Sequence, residues 1–354
     1  MTLLPTSIPA NVSHETVDEN HNTTDDILCL YDPVDWIFTV IPVYILIISV
    51  LGIILNVFVL MVFWLHKTAC NVAEIYLCNL AAADLFLMLS LLIWAVNVLT
   101  RFDSDLSETM CKLFPFSISM NSDCSIYILV LVSIDRYLAL VHPLTHGRKR
   151  RPFCAKLACA VVWGVCFLLN VPVLIFMEVE HDPEKNVSRC IPSYSDHIDE
   201  VLSILNIILN LIIPILIISF CSLKIIQALR NTLRSSFSTQ RKEQKATTLI
   251  LAVLLAFLIS WVPLNVFNIL ELLSRYNIVE ICEFSLGLFQ LISIILAFSN
   301  SVLNPILYVC VGENFRKKVK EVFSQIRNQR NSTFILIPTR TTLSSSVQTE
   351  DATS

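Results

Sequence analysis

Apolar positions along the chain gather in seven long blocks, near residues 36–64, 72–99, 108–141, 153–177, 198–230, 241–273 and 283–309, separated by short polar connections. A helix rises 1.5 Å per residue, so about 20 apolar residues cross a hydrocarbon layer roughly 30 Å thick. The pattern therefore predicts an all-α membrane fold, a seven-transmembrane helix bundle over 36–312. The third block contains Cys111–Tyr137, CKLFPFSISMNSDCSIYILVLVSIDRY, a helix of roughly 40 Å with a cysteine at one end and Asp-Arg-Tyr at the other. These are continuous apolar runs, not alternating ones, which excludes a β-barrel. After the seventh block the pattern changes: Phe315, Val319, Val322, Phe323 and Ile326 recur at helical spacing against Arg316, Lys317, Lys318 and Lys320. That predicts an amphipathic eighth helix over 313–327 at the inner membrane surface. Residues 328–354 are rich in Ser and Thr and poor in apolar groups, so a disordered cytoplasmic tail open to kinases is expected.

Composition agrees: 55% of the 354 residues are hydrophobic, 15% are charged, and mean hydropathy is +0.68. This is an integral membrane protein. Charge placement orients it. No Lys or Arg precedes Lys67, and the second, fourth and sixth connections hold only Arg101, Lys112, Lys185, Arg189 and Arg275 of the 25 basic residues. By the positive-inside rule the amino terminus is extracellular and the carboxyl tail cytoplasmic, in a multi-pass protein of the plasma membrane. No apolar h-region with a cleavage site occurs in 1–35, so the first span itself is expected to direct insertion. Residues 1–35 form a polar extracellular segment with glycosylation sequons at Asn11 and Asn22, and a third sequon at Asn186 lies on the same side. Of 12 cysteines, Cys29, Cys111, Cys190 and Cys282 lie outside or at the outer face, which allows three pairings. No cysteine follows Cys310, so no palmitoyl anchor is expected on the tail.

Polar groups inside the spans carry the candidate chemistry. Asp84 and Asp123 lie deep in apolar blocks with no Lys or Arg to neutralise them, and an intramembrane carboxylate needs a partner, an ion or a proton. For Asp123 a protonated, hydrogen-bonded packing role is expected. Pro263 and Pro305 each remove one backbone hydrogen bond and loosen their helices. Asp135 beside Arg136 suits an ion pair that can be broken.

Read together, Asn56, Asp84, Asp135-Arg136-Tyr137, Trp163, Pro214, Trp261-Val-Pro263 and Asn304-Pro305-Ile-Leu-Tyr308 make the chain resemble the rhodopsin-like G protein-coupled receptors over residues 36–326. That resemblance implies several roles. Cys111 pairs with Cys190 and Cys29 with Cys282. Asp135, Arg136 and Tyr137 couple to a heterotrimeric G protein, and Trp261, Pro263, Asn304, Pro305 and Tyr308 carry the activation motifs. Asp84, Asn121, Ser125, Asn300, Ser301 and Asn304 match a sodium pocket, the one cofactor expected, and receptor kinases and arrestin engage the Ser/Thr tail.

The stretches His66–Leu85 and Leu131–Pro143 are similar to the kinin (bradykinin) receptors, nearer the second subtype than the first, with angiotensin receptors next. The resemblance implies a ligand site from Trp94, Trp261, Asn268, Glu271, Glu283 and Gln290, and coupling to Gq-class protein with calcium release. Glu271 stands where the family's acid faces the peptide's first Arg, and Glu283 replaces a partner acid at the position of Gly287. Other departures are Ser104-Asp-Leu-Ser107 for Trp-x-Phe-Gly, Ser260 for Cys, a missing proline in Leu91-Leu-Ile-Trp94, and Met177 for Arg. They fit a divergent member, with a non-mammalian source left open.

The expected outer face carries 20 carboxylates against 5 basic groups, a field that steers a basic peptide to the bundle mouth. An angiotensin or chemokine-like peptide is the alternative ligand. No nucleic-acid partner is expected. None of the seven His lies inside a span, so a heptahelical zinc hydrolase is excluded. A transporter, the remote alternative, would need an internal repeat or a charged pathway.

Overall fold

The structure, a computed structural model, describes residues 36–66, 68–100, 105–142, 152–182, 187–232, 238–279, 283–310 and 312–335. Asn11, Asn22, Cys29, Asn186 and Cys282 lie outside the described residues, as does the tail from 336. Helix α1 is Trp36–Leu65, α2 Val72–Thr100, α3 Asp105–Val141 and α4 Pro152–Phe176. A hairpin follows, β1 Met177–Asp182 and β2 Val187–Pro192. Helix α5 runs in three pieces, Asp196–Ile207, a π-helical turn Ile208–Ile212, and Ile213–Thr232. Then come α6 Ser238–Arg275, α7 Glu283–Cys310 and α8 Glu313–Ile335. Among the described residues seven helices are long and apolar enough to cross a membrane.

The bundle is apolar at its perimeter and polar along its axis. Ile47, Ile54, Leu168 and Leu216 are each at least 60% exposed, while Ser49, Asn56, Asp84, Asn121, Ser125, Asn300, Ser301 and Asn304 are buried. Lipid solvates the first set, so the helices are held by close packing and interhelical hydrogen bonds. At Gly52 a Cβ would overlap the Met88 side chain, and this lets α1 and α2 approach. Trp163 Nε1 donates to Asn79 Oδ1 at 3.1 Å and ties α4 to α2.

Proline frees carbonyls, and neighbouring helices take them. Pro305 cannot donate to the Ser301 carbonyl four residues back. Asn56 Nδ2 donates to that oxygen at 2.9 Å from α1. In the π turn, Ile213 N–H bonds to the Ile208 carbonyl, and the next donor in that register is Pro214, which has none. Tyr127 Oη on α3 donates to the stranded Leu209 carbonyl at 3.2 Å.

Three features differ from the sequence reading. The connection after α4, read as a polar link, is an antiparallel hairpin with Val179 opposite Cys190; Met177-Glu-Val-Glu180 alternates apolar and polar, the period of a strand. The π turn left no periodic trace in an all-apolar stretch. Helix α8 continues to Ile335 past the expected boundary at 327, because no Gly or Pro interrupts the chain between Gly312 and Pro338.

Candidate functional site

At the hairpin end of the bundle, Cys111 on α3 is disulfide-bonded to Cys190 on β2, with Cα atoms 5.5 Å apart. The bond fixes the hairpin over the helix ends. Met177, which opens β1, is buried. Trp94 on α2 is buried and stacks on Phe114 of α3, centroids 5.1 Å apart. Asn268 on α6 and Gln290 on α7 are half-buried. Glu283 opens α7, and its side chain lies outside the described residues.

Glu271 is not a lone carboxylate at this rim. Its Oε1 accepts from Arg275 Nη2 at 3.0 Å, one turn along α6, and Arg275 Nη1 donates to Asp199 Oδ2 on α5. Tyr194 Oη in turn donates to Asp199 Oδ1 at 3.2 Å. Burial, the Asp199 charge and this hydrogen bond push the Tyr194 phenol up to about 12, so it stays a donor at neutral pH. The α6 backbone behind Arg275 is fixed by its terminus. Asn277 takes a left-handed φ of 53°, and Ile278 N–H bonds to the Leu273 carbonyl at 3.0 Å, which closes a Schellman-type stop.

Deeper in the bundle, Trp261 is buried and stacks on Phe257 at 5.9 Å. Its carbonyl accepts from Asn265 Nδ2 at 3.0 Å in the turn that holds Pro263. Asp84 is fully buried. Its Oδ1 accepts from Ser301 Oγ at 2.7 Å and Asn121 Nδ2 at 3.1 Å, and its Oδ2 from Asn304 Nδ2 at 2.9 Å. Thus α2, α3 and α7 meet at one carboxylate. Asn121 Oδ1, Ser125 Oγ, Asn300 Oδ1, Asn304 Oδ1 and the Tyr308 hydroxyl find no hydrogen-bond partner among the described residues. One carboxylate and several unpaired amide and hydroxyl oxygens make the donor chemistry of a hard cation.

At the α8 end, Arg136 is buried and its Nη2 lies 3.0 Å from Asp135 Oδ2. Tyr137 contacts Phe220 on α5 and His142. Helix α8 is docked by polar contacts: Lys318 Nζ lies 2.9 Å from Glu74 Oε2 on α2, and His66 Nε2 is hydrogen-bonded to Glu321 Oε2 at 2.8 Å. Phe315 packs on Phe58, Phe63 and Tyr308, while Arg316 Nη1 caps the carbonyls of Val309 and Cys310 that end α7.

The family profile described as 7 transmembrane receptor (rhodopsin family) matches residues 55–308, the interval that holds the Asp84 network, Asp135-Arg136 and Trp261. The chain belongs to that receptor family. It is 43% identical to the human B2 bradykinin receptor over 298 residues, which cover 82% of this chain and 76% of that receptor. It is 42% identical to the guinea pig (Cavia porcellus) B2 bradykinin receptor over 294 residues, 81% of this chain and 78% of that one. Similarity to the B1 bradykinin receptor of Macaca mulatta is lower, 37% over 300 residues, 82% of this chain and 84% of that receptor. These are receptors, so the chain is not an enzyme.

Within this rhodopsin-family receptor, sequence reasoning also missed the partners of Asp123 and Glu74. Asp123 Oδ2 accepts from Asn170 Nδ2 on α4 at 2.6 Å, a pairing across 47 residues with no local signal. Glu74 accepts from Asn71 N–H at 2.9 Å while Asn71 Oδ1 accepts from Glu74 N–H at 3.1 Å. That reciprocal cap is legible in the Asn-x-x-Glu spacing before an apolar run.

Proposed function

We propose that the chain is a plasma-membrane receptor for a basic peptide of the kinin type and that it activates a Gq-class G protein, with calcium release downstream. Relatives near 40% identity over four-fifths of the chain are bradykinin receptors, and the Glu271–Asp199 carboxylates at the hairpin rim supply the negative charge such a ligand meets. In this reading the hairpin end, the 1–35 segment and its glycans face outward. The amphipathic α8 lies on the inner leaflet, and the tail engages kinases and arrestin. Ligand contact with Trp94, Trp261, Asn268, Glu271, Glu283 and Gln290 is transmitted through the loosened turns at Pro263 and Pro305 to Arg136. A sodium ion held by Asp84, Asn121, Ser125, Asn300, Ser301 and Asn304 stabilises the resting helix arrangement.

The test is a panel of kinins and angiotensins on cells expressing the full chain, read by calcium release and by nucleotide exchange on purified G proteins. A kinin response at nanomolar to micromolar concentration is expected. An angiotensin response without a kinin response overturns the ligand class.

A further inference from the structure

The rim geometry carries one step more, which rests on the kinin-type reading. The two carboxylates that would receive a cationic ligand group already hold a guanidinium of the receptor. Arg275 spans them as a fork, one nitrogen to Asp199 on α5 and one to Glu271 on α6. The exposures are unequal: the Asp199 and Glu271 side chains are 15% and 24% exposed, the Arg275 side chain 46%. The acids are the more buried partners and the arginine is the more exposed one. Tyr194 further orients the Asp199 carboxylate through its other oxygen. A planar guanidinium between two fixed carboxylates is the geometry that another guanidinium matches best.

We propose that Arg275 is an intramolecular competitor for the ligand: it holds the Glu271 and Asp199 carboxylates in the unliganded receptor, and a guanidinium of the peptide binds by displacing it. Two consequences follow. Asp199 on α5 becomes a recognition acid beside Glu271, and Arg275 sets how steeply the receptor prefers a ligand with a terminal arginine over one without.

The experiment is competition binding to membranes that carry the full chain, normalised to surface level. The probes are a kinin with Arg at both ends and the same kinin lacking its first Arg. Removing a half-exposed ion pair frees a modest interaction, so Arg275→Gln should strengthen the full kinin about threefold to fivefold and leave the trimmed one within about twofold. Arg275→Lys, which keeps the charge but not the fork, should give a smaller gain. Asp199→Asn should weaken the full kinin selectively, and adding it to Arg275→Gln should abolish the gain. Lys112→Gln controls for net field at the rim and should move both probes alike. Equal shifts for both probes on Arg275→Gln, or a loss for the full kinin, overturn the competitor and leave kinin recognition standing. Failure of both probes to bind the unmodified receptor overturns the kinin reading itself.

Discussion

Asn304 Nδ2 donates to Asp84 Oδ2 across 2.9 Å, so the residue before Pro305 on α7 is bonded to the one fully buried carboxylate of α2. That contact joins a loosened helix to the polar axis of the bundle. A cation among the surrounding oxygens would hold the two helices in this arrangement, and linkage then requires sodium and agonist to oppose each other. Agonist affinity should fall as sodium rises, by about fivefold or more for a coupling of roughly 1 kcal/mol. Asp84→Asn should remove the effect. The measurement is agonist competition in sodium and in potassium at equal ionic strength; a sodium effect that persists in the variant points to general screening.

Arg136 at the opposite end is paired with Asp135 at 3.0 Å and buried. It lies near the end of α3 that is far from Cys111 and the hairpin it anchors. Arg136→Ala should therefore abolish agonist-stimulated nucleotide exchange while surface level and peptide binding persist. Unchanged exchange would remove Arg136 from the coupling role.

Local chemistry made much of this legible. The seven spans follow from apolar block length, because lipid forces each helix to satisfy its own backbone; the eighth helix follows from apolar residues at helical spacing against basic ones, and Asp84 and Asp123 stand out as carboxylates without cations in their blocks. The partners were not legible. Nothing in the sequence near Pro305 says that Asn56 covers the Ser301 carbonyl, nor near Pro214 that Tyr127 covers Leu209. Those bonds depend on which helices are neighbours. Glu271 was legible as an acid at the rim, yet its pairing with Arg275 one turn away, and the hand-off to Asp199, needed the packed α5 and α6 ends.

The dock of α8 has a measurable energy. Glu74 and Lys318 side chains are 8% and 13% exposed at 2.9 Å separation. Removing one partner of such a pair strands the other, at a cost of about 3 kcal/mol, whereas removing both is far milder. Lys318→Met should lower the thermal unfolding midpoint in nanodiscs, and Glu74→Gln added to it should restore part of the loss. Additive losses in the double variant would show that the pair does not carry the dock.

Asp123 and Asn170 bring the last expectation. The carboxyl oxygen and the amide nitrogen are 2.6 Å apart, and the same amide donates to the Cys166 carbonyl at 2.8 Å. Asp123 is buried, and among the described residues the hydrogen bond from Asn170 is the side-chain contact that serves its carboxyl group. Two roles make different demands on the side chain. A packing role needs only an acceptor oxygen at that place, which an amide also offers. A role in charge transfer or ligand contact needs the carboxyl group. Asp123→Asn should thus leave agonist-driven nucleotide exchange near the unmodified level and change stability by less than about 1 kcal/mol. Asn170→Ala removes the donor and leaves a buried carboxyl without it, which costs about 1 to 3 kcal/mol. Thermal unfolding and nucleotide exchange on the two variants separate the cases. Loss of exchange in Asp123→Asn at normal stability would assign Asp123 to signalling instead of packing.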